Sequence, residues 1–419
     1  MVHGWPGAAA GGTGLYTEAL ATALAADGHA VAVICPRSRT HASADPTGVL
    51  RWPLADPAAT DFEDAWARRA ALAAWRRFQR AWRPDVVHIH HLSGLPLGLP
   101  EAARQGGARV VLTLHDYATI CARGQLVDAE LRPCPGPAPD RCARCLGPHL
   151  QLNPLTARIG RFLAPHPRLR TAARDGLGAA SRPGHRARGR VVRRLRAAGE
   201  ALDVPHVLLS PSKDLAARVA RLGWRRPSVL PLPLLRPMPA APEPPPGPVR
   251  FLFASSVIPT KGPDRLVEAF ARLPVGTALL TIAGPTPPFD GHEGFGGQVR
   301  SAVHTTPGAR WAGAVPAESM ASLLADHDVL VLPSTWPENS PLVVREATAA
   351  GLRVVASSAG GAAELDPDLR AVDPDAGVNA LADALRAESE RGRGRRTPLS
   401  WPTPAEHSRT LSTGVYTES

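Results

Sequence analysis

The sequence predicts an α/β protein built from two Rossmann-like, doubly wound parallel-sheet domains that face each other across a cleft. Three observations carry this. Short apolar strands alternate with helices along the chain, the signature of parallel sheets covered on both faces. A segment in which nine of the 18 positions from Pro231 to Pro248 are proline interrupts that alternation, after which it restarts. With 419 residues the chain can build two cores.

In the first half, a helix over 15–26 precedes the apolar strand 30–35. Further strands fall at 85–90 and 109–114, with a helix near 97–104 between them. Proline lacks the N–H that helices and central strands require, so 236–248 reads as a stiff linker between domains at 1–235 and 249–390. The second half then gives strand 249–254, helix 262–272, strands 278–283 and 309–313, helix 317–325, strand 328–332, helix 341–350 and strand 352–357. Residues 391–419 are a polar, proline-containing tail. The start is unusual: only Met1-Val2-His3 precede Gly4, so the first strand is expected to be truncated and the sheet it would join incomplete.

Apolar residues make up 44% and charged residues 20%, an ordinary globular composition. Without an apolar run of 18 residues or a cleavable leader, a membrane span is not expected, and the cytoplasm is the default compartment. A net charge of +11 invites a nucleic-acid reading, but aromatics are only 5% and no nucleic-acid module is present, so that partner is set aside. The charge concentrates between Thr156 and Ala198, with 12 arginines against Asp175 alone. That stretch is either a solvated helical face or a surface for anionic lipid or an anionic acceptor, which would place the protein peripherally on the inner face of the membrane. Of 48 basic residues only Lys213 and Lys261 are lysine, the pattern of a GC-rich genome. Lys261, just beyond strand 249–254, places a compact ammonium where a diphosphate could sit, whereas Lys213 reads as the start of a surface helix.

Chemistry concentrates in Ser334-Thr335-Trp336-Pro337-Glu338-Asn339-Ser340-Pro341-Leu342, continuing to Glu346. The strand Val329-Leu330-Val331-Leu332 feeds a loop, and a helix is expected to start at Asn339 or Ser340 as N-cap with Pro341 in its first position. Glu338 then lies at the strand's carboxyl end and Glu346 a little over one turn into the helix. The free N–H groups of Asn339, Ser340 and Leu342 between them suit an anionic phosphate. Two ordinary surface acids are the simpler reading of any Glu pair, but the sequence continues Ala347-Thr348-Ala349-Ala350-Gly351, then the strand to Ser358, then Gly360-Gly361 and Glu364.

From Pro333 to Glu364 this pattern resembles the donor-binding half of glycosyltransferase family 4, the retaining group 1 glycosyltransferases with the GT-B fold. The resemblance implies a nucleoside-diphosphate sugar as donor, Glu338 on the hydroxyls of its sugar and Glu346 on its ribose. It also implies Lys261 on its diphosphate and an acceptor hydroxyl on a sugar, lipid-linked sugar or small molecule. Gly11-Gly12-Thr13-Gly14, alone no more than a tight turn before a helix, becomes in this frame the loop near the diphosphate, with Gly12 and Thr13 as donor contacts. His115, at a strand end and by itself an ordinary structural histidine, resembles the family's histidine facing the donor sugar. His90 or His91 could point into the cleft, whereas His88 reads as a core residue. The family's arginine before Lys-Gly is replaced by Ser256, with Arg265 a candidate source of charge.

Cys121, Cys134, Cys142 and Cys145 fall close together, and Cys142-Ala143-Arg144-Cys145 has metal-ligand spacing. A structural zinc, a disulfide or redox pair, and unpaired thiols are all open. No catalytic metal or cofactor is expected. The expected activity is therefore a retaining, metal-independent glycosyl (hexosyl or related) transfer serving envelope, polysaccharide, glycolipid or natural-product glycosylation. A GT-B-like epimerase or phosphorylase, or an inactive sugar-binding homologue, would use the same cleft.

Overall fold

The computed structural model describes residues 11–36, 43–54, 62–147, 185–289 and 291–417. The opening residues, including the expected truncated strand, and the arginines between 158 and 182 lie outside them.

The second half forms one parallel sheet. Its strands are β8 (Val249–Ala254), β9 (Ala278–Ala283), β10 (Ala309–Gly313), β11 (Val329–Leu332), β12 (Arg353–Ser357) and β13 (Arg370–Val372), in the order β10-β9-β8-β11-β12-β13. Their boundaries agree with the expected ones within a residue wherever a strand was expected. The reason is visible in the burial: alternate residues serve opposite faces, and both faces are covered. Phe251, Phe253, Leu280, Ile282, Val329, Val331 and Val355 share one core with helices α8 (Pro263–Phe270), α9 (Phe295–Thr305) and α12 (Gly377–Glu390). Leu252, Ala254, Leu330, Leu332, Val354 and Ala356 share another with α10 (Met320–Ala325) and α11 (Leu342–Ala349). A run that is apolar at every position is what two covered faces require.

This order has a functional consequence. The chain winds outward in one direction from β8 and in the other from β11, so the loops after these two strands diverge and leave a crevice at the sheet's carboxyl edge. Those loops carry Lys261 and Glu338.

The first half holds α1 (Gly12–Ala26), β1 (Ala32–Pro36), β2 (Ser43–Ala44), β3 (Leu50–Leu54), α2 (Asp64–Ala67), α3 (Arg69–Trp82), β4 (Val86–Ile89), α4 (Leu99–Gln105) and β5 (Arg109–Thr113). It continues with α5 (Pro139–Cys145), α6 (His185–Asp203), β6 (Val207–Ser210), α7 (Lys213–Ala220) and β7 (Ser228–Val229). Among the described residues its strands form two ladders, β1-β3-β2 and the all-parallel β4-β5-β6-β7. Two expected helix starts are corrected. Gly12 and Thr13 lie inside the first turn of α1 rather than before it, with Gly11 as cap. Pro341 occupies the cap position of α11, so that helix begins at Leu342, later than Asn339 or Ser340 would have set it.

The tail is not a loose appendage. Trp401 Nε1 donates to Thr348 Oγ1 on α11, and Pro402 accepts from the Leu234 amide just before the linker. The chain then enters α13 (Pro404–Thr410), started by a capping box between Thr403 and Glu406. α13 packs on α1, and Leu411, Val415 and Tyr416 close a core that also contains Tyr16, Leu20, Val31 and Val33.

Candidate active site

Glu338 is 3% exposed, and its Oε1 accepts three hydrogen bonds: from Lys261 Nζ and Ser334 Oγ, each at 2.5 Å, and from Trp336 Nε1 at 2.9 Å. The lysine ammonium also lies 4.9 Å from the centre of the Trp336 ring, within cation–π range. Each contact follows from the local chain path. Lys261 ends a short 3-10 turn, Pro259–Lys261, and Gly262 follows at φ +68°, where a Cβ would sit 2.4 Å from the Pro333 carbonyl oxygen. Only glycine lets that loop lie against the end of β11 and bring the ammonium to the carboxylate. Three donors on one oxygen fix the carboxylate's orientation. Its other oxygen carries no hydrogen bond among the described residues and could accept from a hydroxyl.

The same loop binds the first half of the chain. Asn339 is buried, donating from Nδ2 to the carbonyl oxygens of Leu114 and His115 at 3.0 Å each, while its Oδ1 accepts from Ser212 Oγ at 2.5 Å. Its side chain therefore clasps the two domains, a role beside the one expected here, which belongs to its backbone N–H. Glu364 accepts from the amides of Lys213 and Asp214 at 2.7 Å each, satisfying the open end of α7 with a negative charge. Gly361 lies where a Cβ would meet Asn339 O at 2.1 Å and Ser212 Cβ at 2.5 Å. Gly12 approaches Leu342 closely enough that a Cβ would meet its Cδ1 at 3.2 Å. The Gly12 turn, His115, Lys261, Glu338 and the start of α11 are thus brought to one cleft. Thr13 lies beside Gly12 in the same turn, and Ser340 keeps a buried Oγ without a hydrogen bond among the described residues.

Three further expected residues have these surroundings. Glu346 is nearly buried, and burial raises its pKa. It faces Arg236 of the linker, whose Nε is 3.5 Å away and whose charge works against that rise. Arg236 also donates to the Ala317 carbonyl. Ser256 is half-buried at the end of β8, its carbonyl accepting from the Ile258 amide. Arg265 donates to the Pro374 carbonyl and lines a small cavity with Ser334 and Asp373, so its cation is already engaged at the β12–β13 side.

His90 is fully buried and does not open into the cleft. His91 accepts from the Ser93 amide, and burial holds its pKa down at about 4. His88 is the core residue expected, held between Tyr416 Oη at 2.7 Å and Thr113 Oγ1 at 2.8 Å.

Cys121, Cys134, Cys142 and Cys145 are free thiols, and among the described residues no group of three or more His, Cys, Asp or Glu is arranged to hold a metal ion. Burial raises the pKa of Cys142 and moves Cys145 up to about 11, and in each the neighbouring thiols add to the rise. On α6, Arg190 and Arg193 pair with Glu63, Arg188 with Asp140 and Arg196 with Glu200, while Arg194 is buried on the carbonyls of Ala118 and Thr119. This part of the basic stretch is a laced helix rather than an open cationic face. Among the described residues no helix is long and apolar enough to cross a membrane.

The Glycosyltransferase Family 4 model matches residues 10–233, and the Glycosyl transferases group 1 model matches 238–387. The chain belongs to this family. A comparison with curated protein sequences finds no match. Solved structures of other glycosyltransferases share its GT-B fold at low identity. Sucrose-phosphate synthase from Thermosynechococcus elongatus superimposes with a TM-score of 0.64 at 17% identity, covering 98% of this chain and 94% of that one. HepE from Anabaena, in complex with UDP and glucose, gives 0.64 at 13% identity, covering 100% and 99%. An E. coli trehalose-6-phosphate structure bound with UDP-2-fluoro glucose gives 0.54 at 14% identity, covering 92% and 90%. For this family 4 glycosyltransferase, sequence reasoning singled out Lys261 and Glu338 separately, for the diphosphate and the sugar hydroxyls, and did not foresee that they pair. It missed Ser212, Arg236, Tyr16 and His407, none of which sits in a local pattern that marks it.

Proposed function

We propose that this glycosyltransferase moves a sugar, with retention of anomeric configuration and without a catalytic metal, from a nucleoside-diphosphate sugar to an acceptor hydroxyl. The observation that carries the reading is the Lys261–Glu338 pair at the divergence of β8 and β11, facing His115 and the Gly12 turn. The UDP and UDP-sugar bound in the structural neighbours support the donor class.

In this reading Lys261 and the amides of Ser340 and Leu342 stabilise charge developing on the leaving diphosphate, and removing one such donor lowers the rate by about 10²–10³-fold. Glu338 offers its second oxygen to sugar hydroxyls, and Glu346 accepts from the ribose. His115, together with the residues around Gly12 and Thr13, closes the site from the other domain and excludes water that would hydrolyse the donor. The acceptor hydroxyl attacks the anomeric carbon on the face from which the diphosphate departs, its proton passing to a departing phosphate oxygen.

The test is a melting-temperature panel with UDP-, GDP- and ADP-sugars, followed by transfer assays of the stabilising donor with and without EDTA. The reading expects one donor to stabilise, EDTA to be without effect, and NMR of the product to show the donor's anomeric configuration. An inverted product or EDTA-sensitive transfer overturns the mechanism. Isomerised donor without transfer supports an epimerase, sugar phosphate formed with inorganic phosphate supports a phosphorylase, and binding without turnover supports an inactive homologue.

A further inference from the structure

The proposed reaction leaves the end of the chain unused, yet that end reaches the cleft's histidines. His407 on α13 and Tyr16 on α1 lie 391 positions apart, with His407 Nε2 2.9 Å from Tyr16 Oη. They are 3% and 1% exposed. The Tyr16 ring stands 4.8 Å from the His115 ring and 5.3 Å from that of His90, centre to centre. His88 packs behind His90 and bonds Tyr416. A phenol anchored at its oxygen cannot swing, so the face it presents to His115 is set from the tail.

The direction of that hydrogen bond follows from the surroundings. Burial raises the Tyr16 pKa well above its ordinary value, so the phenol keeps its proton. Burial, and after it the charge of Arg345, lowers the His407 pKa to about 4, so its imidazole is neutral at pH 7. His407 Nε2 is the phenol's one hydrogen-bond partner among the described residues, so the buried phenol proton is satisfied only when Tyr16 donates and Nε2 accepts, with the imidazole proton on Nδ1. Arg345 comes from α11, beside Glu346. It is fully buried, its three guanidinium nitrogens have no hydrogen-bond partner among the described residues, and it lies 5.0 Å from the centre of the Trp401 ring. The helix that carries the donor-side acid thus grips the same tail.

We propose that His407 is a positioning residue of the transfer reaction: by accepting from Tyr16 it holds that ring against His115 and so sets the imidazole facing the cleft. This rests on the reading of His115 as the cleft-facing residue opposite Glu338, but its test does not need turnover. Protein labelled with ¹⁵N-histidine is followed by long-range ¹H–¹⁵N NMR through a pH titration. The unaltered chain is compared with His407→Phe, His407→Gln and Tyr16→Phe, and His115→Gln assigns the His115 signals.

His407 is expected to remain the Nδ1–H tautomer down to about pH 5. His407→Phe and Tyr16→Phe are expected to move the His115 titration midpoint together, by about half a pH unit or more. His407→Gln, whose side-chain oxygen can still accept, is expected to return it. If His115 is unmoved in folded His407→Phe or Tyr16→Phe, or if Gln and Phe behave alike, the proposal fails. Should His407→Phe not fold, Tyr16→Phe, which removes one oxygen only, decides alone. Failure of the transferase reading would show separately, as absence of nucleoside diphosphate release from every donor tested.

Discussion

The side-chain amide of Asn339 donates to the carbonyl oxygen of His115 at 3.0 Å, tying the loop that holds Glu338 to the strand end that holds the opposing histidine. Because the same amide also reaches Leu114 and receives Ser212, this one side chain makes three hydrogen bonds across the two domains. Asn339→Ala leaves buried partners unsatisfied, a loss of about 1–3 kcal/mol. The expected outcome is a lower melting temperature together with weaker binding of the stabilising nucleotide-sugar, read by calorimetry. A fall in stability with unchanged affinity would mean that the clasp does not govern closure.

Gly361→Ala tests the same junction by addition. Its methyl group would overlap Asn339 O and Ser212 Cβ, both fixed by other contacts, so the domains must separate slightly. Small-angle scattering is expected to show a larger radius of gyration, and donor affinity should drop more than for an alanine placed at exposed Gly297.

Lys261 and Glu338 form a nearly buried pair, so removing either leaves the other charge unpartnered, at a cost of about 3–5 kcal/mol. Lys261→Met and Glu338→Gln should each lower the transfer rate by two orders of magnitude or more. The double variant should be more stable than additivity predicts, since neither charge is then stranded. A strictly additive thermal-unfolding cycle would contradict the coupling.

Acid sensitivity follows from the buried histidines. His88, His91, His327 and His407 all have folded pKa values below the ordinary 6.5 because burial disfavours the imidazolium. Above pH 6.5 their contribution to stability is complete. As pH falls from there toward 4 the unfolded chain takes up protons that the folded chain does not, and stability declines. For His407 alone the shift corresponds to about 3 kcal/mol. Melting temperature should fall through this window, and less steeply in His407→Gln, which cannot titrate.

The thiols give a chemical readout. With Cys142 raised and Cys145 near 11, both are protonated at neutral pH. Alkylation by iodoacetamide, followed by mass spectrometry, should be slow at pH 7.5, accelerate toward pH 10, and be indifferent to EDTA. Rapid alkylation unmasked by chelator would instead reveal zinc-held thiolates.

The parts of this molecule legible in its sequence are those whose cause is local. Val329-Leu330-Val331-Leu332 is a strand because every position is buried, and that property is written in four consecutive letters. Lys261 and Glu338 were legible because each lies in the loop after a strand, next to the point where the strand order of the sheet reverses. The start of α11 was misplaced because Asn339 has a good capping side chain that tertiary contacts employ elsewhere, across the cleft. Arg236 was hidden in a proline-rich connector that signalled only stiffness. The Tyr16–His407 contact depends on where a tail lands 391 positions away. No period or motif encodes that.

Leu411 and Tyr416 complete the core around Tyr16, Leu20 and Val33, so the domain built from residues 12–229 lacks a wall until residues 411–416 have left the ribosome. During synthesis its apolar face remains open while the second domain folds. A chain cut before Leu411 would leave that wall open for good and present Tyr16, Leu20 and Val33 to aggregation.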